Sequence, residues 1–422
     1  MPNGFNKEEV VAFEQMLEGF NDQLVLSSLV NKYGTDQTQM ERSNDQIWRP
    51  QPYIAQSHDG SDATSNFGDN TQLSVPANIG FQKHSTAQLT AKELRDMLQE
   101  NRLGKAAMEK LASDINRSVL NVVSNQGSIV IKRTTAATGY DDVAEIDATL
   151  NELGVNYEDR CLGLSSRDYN NMASNLAARE TINDMPTKAY RRSYVGEVSS
   201  FQTYKMDYAN SLTAAAGVAV TINGANQYYT PAATSTASSG EVSNVDNRYQ
   251  VITISVTSGT VKVGDAFTIA GVNSVHHLTK EDTGQPKTFR IHEVITGAGG
   301  SGTVKISPPI ISAGGSTDAE KQYKNVTATP ADGAAITFLN TATASVNPFW
   351  TKDTIELLPG RLGMHDSAAD QILRATTDQG IEVVMQRFYD IYTQKTKYRW
   401  DVLYGVVNLN PQMSGVILFS QT

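Results

Sequence analysis

The sequence predicts an α+β fold into which a compact all-β module has been inserted. A segment of about 34 residues that begins at Thr90 repeats apolar residues at helical spacing. In contrast, the block from Val245 to Ile311 alternates apolar and polar residues, turns at glycines and shows no helical period. A helical framework that is interrupted by a β block indicates more than one structural unit in the chain.

The composition is that of a globular protein with an acidic charge balance, which leaves a local basic patch as an open alternative. The 422 residues allow two or three domains, and 39% of them are hydrophobic. The formal net charge of -10 argues against binding by phosphate neutralisation, which needs a basic face. No apolar run reaches the length of about 18 residues that marks a membrane helix, and the N-terminus lacks the apolar core of a signal peptide. We therefore expect no membrane partner. The single Cys161 excludes an internal disulfide framework, so we expect folding in a reducing cytoplasm.

The N-terminal part predicts a helix followed by an extended arm. Apolar spacing from Lys7 to Lys32 predicts an amphipathic helix, with Gly19 as a candidate break and Gly34 as the stop. In the next segment, two extended runs around 47–50 and 72–81 flank the polar tip DGSDATSNFGDN, which is typical of a long two-stranded hairpin. Because a lone hairpin is marginally stable, we expect this arm to lie against another surface.

A long helix and an α+β region follow the arm. Thr90 and Glu93 form a capping-box pattern at the start of the helix, Gly127 stops it, and Gly104 is a candidate bend. Periodicity then predicts strands at Ser128–Arg133 and Arg160–Leu164, helices at Tyr140–Leu153 and Arg167–Arg179, and final strands at Tyr398–Val407 and Ser414–Phe419.

The β module lies between two polar stretches, 212–244 and 312–344, that are rich in Ala, Ser, Thr and Gly. Its predicted turns fall at Ser258-Gly259, at Val263-Gly264-Asp265 and within 297–302.

The segment Gly297 to Gly302 matches G-x-G-x-x-G, the pattern of a dinucleotide-binding loop. That chemistry needs a strand before the motif and a helix after it, so that amides at the helix N-terminus meet a pyrophosphate. Both flanks here, 289–296 and 303–307, have the alternation of strands. We therefore interpret the motif as a hairpin turn.

No other pattern identifies a reaction. The six histidines, His58, His84, His276, His277, His292 and His365, have no recognised metal-ligand spacing and are interpreted as surface residues. The acidic cluster Asp59, Asp62, Asp69 and Asn70 lacks the order of an EF-hand and is interpreted as a solvated tip. Cys161 fits a core position, and neither G-x-S-x-G nor a Walker A motif occurs. We expect no catalytic residue, no bound metal and no cofactor.

Three segments of the β module stand out together: VDNRYQVITISV, GTVKVGDAFTIAGV and, after a gap, TFRIHEVITGAGGSGTVKISPPI. They resemble the inserted domain of major coat proteins of the Salmonella phage P22 type, a family of tailed-phage capsid proteins. Three further matches follow the family's order: 42–50 resembles the start of its extended loop, 346–350 its return after the insertion, and Tyr404-Gly405-Val406 with Pro411 and Gly415-Val416 its final strands. The resemblance runs from about residue 35 to the C-terminus.

The resemblance implies the tailed-phage and herpesvirus major capsid fold with an inserted small β-barrel-like domain. Its parts would be an N-terminal helical arm (1–34), an extended hairpin loop (35–86), a spine helix with part of the peripheral domain (87–135), the first part of the peripheral and axial domains (136–217), the insertion (218–345) and the second part of the axial and peripheral domains (346–422).

The family also implies a function. The chain would be a major capsid protein that self-assembles into pentamers and hexamers of an icosahedral head enclosing double-stranded DNA. A scaffolding protein and a portal would be partners, the virion would be its location, and assembly would take place in the bacterial host cytoplasm. An acidic subunit fits this role because a shell that encloses DNA need not grip it.

Two sets of residues are candidate subunit contacts. On the extended loop, Ile47 and Trp48 would be buried by a neighbour, and Arg42 or Arg49 would pair with acidic groups there. On the insertion, 273–287 is the expected protruding loop, with His276, Lys280, Glu281 and Asp282 as contacts. Some relatives cross-link the shell through a loop lysine, but 35–81 contains none, so we expect a non-covalent lattice.

Two other classes stay open. One is a tail or decoration protein whose β domain binds a carbohydrate or a host surface, and the other is an enzyme with an accessory β domain. Electron microscopy separates these classes from a capsid protein. Shells would identify a capsid protein, trimers or fibres a tail or decoration protein, and active monomers an enzyme.

Overall fold

A computed structural model describes residues 7–34, 46–57, 59–62, 64, 67–90, 92–93, 97–178, 195–208, 210–296, 298–363 and 371–422. The chain divides into two compact units. The first consists of Met1–Ile47, Ala77–Val122 and Ile355–Val407, and the second of Trp48–Pro76, Val123–Thr354 and Asn408–Thr422.

The described helices are α1 (Lys7–Gln23), α2 (Val25–Ser28), α3 (Met97–Gln126), α4 (Tyr140–Leu153), α5 (Ser166–Ala177) and α6 (Asp318–Tyr323), with 3-10 turns at Lys352–Thr354 and Pro411–Met413. The strands are β1 (Asn31–Lys32), β2 (Gln46–Pro50), β3 (Ser74–Asn78), β4 (Phe81–Thr90), β5 (Ile129–Lys132), β6 (Arg160–Ser165), β7 (Glu197–Val198), β8 (Phe201–Met206), β9 (Ser211–Leu212), β10 (Val218–Ile222), β11 (Thr234–Thr236), β12 (Val242–Asn244), β13 (Gln250–Thr260), β14 (Ala266–Val275), β15 (Asp282–Thr296), β16 (Ala298–Ser307), β17 (Ile336–Phe338), β18 (Ala344–Ser345), β19 (Asn347–Thr351), β20 (Ile355–Pro359), β21 (Gln371–Thr376), β22 (Glu382–Asp390), β23 (Lys395–Asn408) and β24 (Ser414–Leu418).

The first unit is built on a six-stranded sheet of order β1-β20-β23-β22-β21, in which β4 also pairs with β23. Alternation along β23 buries Tyr398, Trp400 and Tyr404 on one face. The Tyr404 hydroxyl lies 2.8 Å from the Ser118 hydroxyl of α3, where the two hydrogen-bond.

The N-terminal helix differs from its prediction. The chain leaves helical geometry at Leu24, with ψ at 55°, rather than at Gly19. After α2, residues Asn31 and Lys32 pair in parallel with β20 instead of continuing the helix. The sheet edge supplies backbone partners there, and tertiary pairing overrides the local helical pattern.

The long helix α3 is continuous through Gly104, where a bend was a candidate. A Cβ on Gly104 would collide with the Met16 side chain, so this glycine allows close packing rather than a kink. The capping-box contacts between Thr90 and Glu93 are present, since the Thr90 N–H donates to Glu93 Oε2 at 2.9 Å. Thr90 itself ends β4, and the described helix begins at Met97.

The second unit contains a mixed sheet of order β5-β24-β19-β6-β8-β7. Helices α4 and α5 cover it, and the shared core includes Val143, Ile146, Leu162, Phe349 and Ile417. The observed bounds of α4 are those that periodicity predicts, because Gly139 and Gly154 border the helix and Gly154 adopts the left-handed conformation of a C-cap.

The insertion forms a nearly closed barrel of order β10-β13-β16-β15-β14-β17. A bridge between Thr221 and Ala335 joins β10 to the end that carries β17. The interior contains Ile252, Ile254, Phe267, Phe289 and Val304, so the barrel has a hydrophobic core of its own. Strands β9 and β18 pair with each other at the points where the chain enters and leaves the insertion.

One of the three predicted turns in the insertion is confirmed, since Gly264 turns the chain before β14 with φ at 93°. The G-x-G-x-x-G motif lies where β16 follows β15, but its described residues, 298–302, belong to β16 and pair with β13, and Gly297 lies outside the described residues. The predicted turn at Ser258-Gly259 is wrong. Both residues lie within β13, where the register shifts between Val256 and Thr260, so Gly259 marks a bulge.

Candidate interaction surfaces

The extended loop carries three of the predicted contact residues. Ile47, Trp48 and Arg49 lie in β2, which pairs with β3, and all three are partly exposed. Arg42 lies outside the described residues. Two aromatic side chains farther along the loop are more exposed, Tyr53 at 60% and Phe67 at 89%. The loop therefore presents apolar surface that its own subunit leaves uncovered.

The tip of the loop is acidic. Asp59, Asp62 and Asp69 are exposed there. The Asp62 carboxylate accepts hydrogen bonds from the Thr64 hydroxyl at 2.6 Å and the Thr64 N–H at 3.0 Å, and these bonds lower its pKa. Asp62 thus stays ionised in this turn.

The loop 276–282 of the insertion packs against its own chain. The His277 N–H donates to the Leu153 carbonyl at 2.9 Å, and the His276 ring lies against Gly154, where a Cβ would be 2.6 Å from Nε2. Lys280 donates to the Lys324 carbonyl at 3.2 Å, and burial lowers its pKa to about 8. Both side chains, His276 and Lys280, thus point toward this subunit.

Glu281 and Asp282, by contrast, are exposed. The Asp282 carboxylate accepts from the Gly284 N–H at 2.8 Å and from Asn273 Nδ2 at 3.2 Å. These two acids are the members of the predicted set on the insertion that a neighbour can reach. Their role as contacts stays a prediction.

The structure contains a second protrusion that the sequence patterns did not predict. Strands β11 and β12 form a hairpin in which every residue from Thr234 to Asn244 is exposed, including Val242 at 61%. Glu241 is its only charged residue. Its small polar residues show little of the apolar/polar alternation that predicts strands. The turn pair Ser239-Gly240 between two runs of Thr, Ser and Val could have indicated the hairpin.

The barrel is joined to the mixed sheet through buried cations of β15. Arg290 donates to two carbonyl oxygens, that of Gly127 at 3.2 Å and that of Ser124. It thereby caps the C-terminal end of α3. Lys287 donates to Gln412 Oε1 at 2.9 Å. Burial lowers the pKa of Lys287 to about 7 and that of Arg290 to about 10. Within the described chain neither cation forms an ion pair with a carboxylate, so both depend on neutral oxygens.

The first unit carries a cationic groove of about 580 Å³ on its sheet, lined by Gln88, Arg387, Phe388, Lys397 and Arg399 among others. Lys397 pairs with Asp390 at 3.1 Å, and Arg399 with Asp401 at 2.8 Å. The cations are 51% and 46% exposed, whereas the two acids are 16% and 1% exposed. The groove therefore exposes Lys397 and Arg399 more than the carboxylates that pair with them.

The described residues offer little for catalysis. Burial raises the pKa of the Cys161 thiol to about 12, which leaves it protonated, and lowers the pKa of His277 to about 4. In the described part of the chain no three His, Cys, Asp or Glu side chains are grouped to bind a metal ion. None of the described helices is both long and apolar enough to cross a membrane.

An exposed loop and an exposed hairpin on a mixed α+β framework with an inserted barrel define a structural subunit with surface that is available to other chains. The family model for "P22 coat protein - gene protein 5" matches residues 1–420. The chain therefore belongs to the P22 coat protein family, and it is a major capsid protein that forms a phage shell. This confirms the resemblance and the capsid fold class with its inserted barrel.

Solved structures of phage capsids are similar to the chain. The capsid of cyanophage P-SCSP1u has 11% identity and a TM-score of 0.43, with 93% of this chain and 86% of that chain covered. Mycobacterium phage Che8 has 10% identity and a TM-score of 0.42, with 94% and 92% covered. The CUS-3 coat protein I-domain has 44% identity and a TM-score of 0.23, with 29% of this chain and 96% of that chain covered.

Family membership gives the broad biological setting. The chain is a component of the virion capsid and forms self-assembling shell oligomers. A coat-protein family implies a structural rather than an enzymatic role.

Proposed function

We propose that the chain assembles as pentamers and hexamers of an icosahedral head that encloses double-stranded DNA. The observation that carries the proposal is the pair of exposed protrusions on one subunit, the extended loop and the hairpin 234–244. Two protrusions let each copy contact more than one neighbour. Each contact can be weak, because many of them repeat across a closed shell.

The extended loop makes the contact within a capsomer in this proposal. Ile47 and Trp48 lose their remaining exposure against a neighbour, and Arg42 or Arg49 pairs with acidic groups there. The acidic tip at Asp59 and Asp62 would meet the exposed cations of the groove on an adjacent copy. Such complementarity favours correct docking and register more than raw affinity.

The insertion makes the contact between capsomers. Its hairpin 234–244 has backbone and hydroxyl groups exposed over its whole length, and Glu281 with Asp282 gives a second exposed site. A scaffolding protein and a portal are the further partners, with assembly in the bacterial host cytoplasm. The acidic subunit encloses DNA without sequence-specific binding, which its net charge of -10 supports.

Electron microscopy of the purified chain, alone and with a scaffolding protein, tests the proposal. Closed shells are the expected product, and Trp48→Ala should lower their yield relative to a Tyr157→Ala control, which truncates an aromatic residue that is 67% exposed and lies outside both protrusions. Trimers or fibres would instead support a tail or decoration protein, and discrete monomers with turnover would support an enzyme.

A further inference from the structure

The extended loop lies against the insertion of the same subunit along helix α6. Ile54 and Leu73, one from each arm of the loop, are buried with Ile311 and Tyr323 of the insertion. These four side chains are 3 to 8% exposed. An apolar contact of this kind is the surface that a marginal two-stranded arm needs.

Hydrogen bonds fix the position of both arms. The Tyr323 hydroxyl donates to the Thr71 carbonyl at 2.8 Å, and the Thr71 N–H donates to Gln322 Oε1 at 3.3 Å. On the other arm, Gln56 Nε2 donates to the Asp318 carbonyl at 3.2 Å. One short helix therefore bonds to the outgoing and to the returning arm.

The closest approach is at Gly68. A Cβ at this position would lie 2.6 Å from Asp318 Oδ2 and 3.6 Å from Asp318 Cβ. The neighbouring Phe67 is 89% exposed and lies outside this contact. Glycine thus lets the returning arm reach α6 while Phe67 remains available to another chain.

We propose that α6 is a brace for the chain's own extended loop, and that this contact persists in the assembled shell. The inference rests on the proposed function, in which the loop reaches a neighbour. A braced loop is preorganised, so less conformational freedom is lost when the neighbour binds. The insertion would thereby influence contacts within a capsomer as well as those that its own hairpin makes.

A disulfide between the loop and α6 tests this brace. The Cβ separation of 3.6 Å between positions 68 and 318 lies in the range of about 3.5–4.5 Å that disulfides need. We would combine Gly68→Cys with Asp318→Cys, which also removes the carboxylate nearest to the new side chain. The natural Cys161 is buried and its thiol stays protonated, so it does not compete.

Assembled particles would be oxidised and analysed on denaturing gels, with each single cysteine variant as control. Oxidation of the two thiols forms one S–S bond, and diamide accepts the two electrons and two protons. We expect an intrachain bond in most subunits, no interchain dimers, and particles of wild-type size. Absence of the bond in shells, interchain dimers between positions 68 and 318, or failure of cross-linked subunits to assemble would each overturn the inference.

Hydrogen exchange gives a second readout that does not depend on new cysteines. Tyr323→Phe removes one hydrogen bond, and we expect amide exchange around 71–73 to rise several-fold, with no such rise for the matched control Tyr157→Phe at a tyrosine that is 67% exposed. Unchanged exchange in Tyr323→Phe would contradict the brace. If the wild-type chain forms shells but the disulfide does not form in them, the brace alone fails; if it forms no shells, the proposed function fails and the brace fails with it.

Discussion

Glycines allow two backbone approaches that no other residue permits. A Cβ on Gly415 would lie 2.7 Å from Phe349 Cζ and closer still to the Ile129 carbonyl oxygen, inside the mixed sheet. In the other unit, a Cβ on Gly405 would collide with the Asn78 carbonyl oxygen. Both glycines belong to the short C-terminal motifs that resemble the coat-protein family, so these matches reflect packing requirements.

Gly415→Ala should destabilise the second unit. The added methyl has backbone on one side and an aromatic ring on the other, so the strand must shift, at a cost of about 1–3 kcal/mol of unfolding free energy. Urea denaturation measures this loss. Gly80→Ala is the matched control, since nothing lies within 4 Å of its Cβ position and we expect a change below about 0.5 kcal/mol. Equal stability of Gly415→Ala and wild type would contradict the packing account.

Buried Lys287 makes stability depend on pH. Its pKa falls from 10.5 to about 7 on folding, so between these pH values the unfolded chain binds a proton that the folded chain lacks. The unfolding free energy therefore rises with pH in this window, by about 2 kcal/mol from pH 7 to pH 9. Well below pH 7, Lys287 is charged in the folded chain, and the unfolding free energy is reduced by the full cost of burying that charge.

Lys287→Met keeps the length of the side chain and removes the titrating group. We expect it to be more stable than wild type at pH 7 and to lack this part of the rise toward pH 9, as measured by urea midpoints at both pH values. Lys321→Met, at a lysine that is 52% exposed, is the control and should keep the wild-type slope. The account is wrong if Lys287→Met and wild type have parallel pH profiles.

At the scale of elements, sequence patterns predicted the helices and strands whose bounds depend on residues close to them in the sequence. Helix α4 was predictable because an apolar stripe lies between two glycines, and the strand flanks of G-x-G-x-x-G were enough to exclude a nucleotide loop. The break at Leu24 and the bulge at Gly259 were not predictable, since distant strands determine them. The same holds for the contacts of Arg290 and Tyr323, whose partners are far away in the sequence.

The barrel should fold without the rest of the chain, because its core consists of its own residues. We expect a fragment from Ala219 to Ala344 to give dispersed amide resonances. Lys287 and Arg290 lose their partners Gln412 and Gly127 in this fragment but gain water, so their desolvation cost falls. A spectrum of unfolded amides only would count against an autonomous insertion.

At the scale of the whole molecule, the lattice should be held without covalent links. The segment 35–81 of the extended loop has no lysine that could form an isopeptide bond. Assembled particles boiled in detergent should therefore run as a single band at the 45.8 kDa of the monomer. A ladder of higher species on the gel would refute this prediction.

The central claim is that this chain is a shell subunit whose insertion joins neighbouring capsomers. An image reconstruction of assembled particles that resolves the backbone tests it most directly. The account predicts pentamers and hexamers in a closed icosahedral shell, with the hairpin 234–244 against a subunit of an adjacent capsomer. A shell in which that hairpin touches no other subunit would contradict the claim.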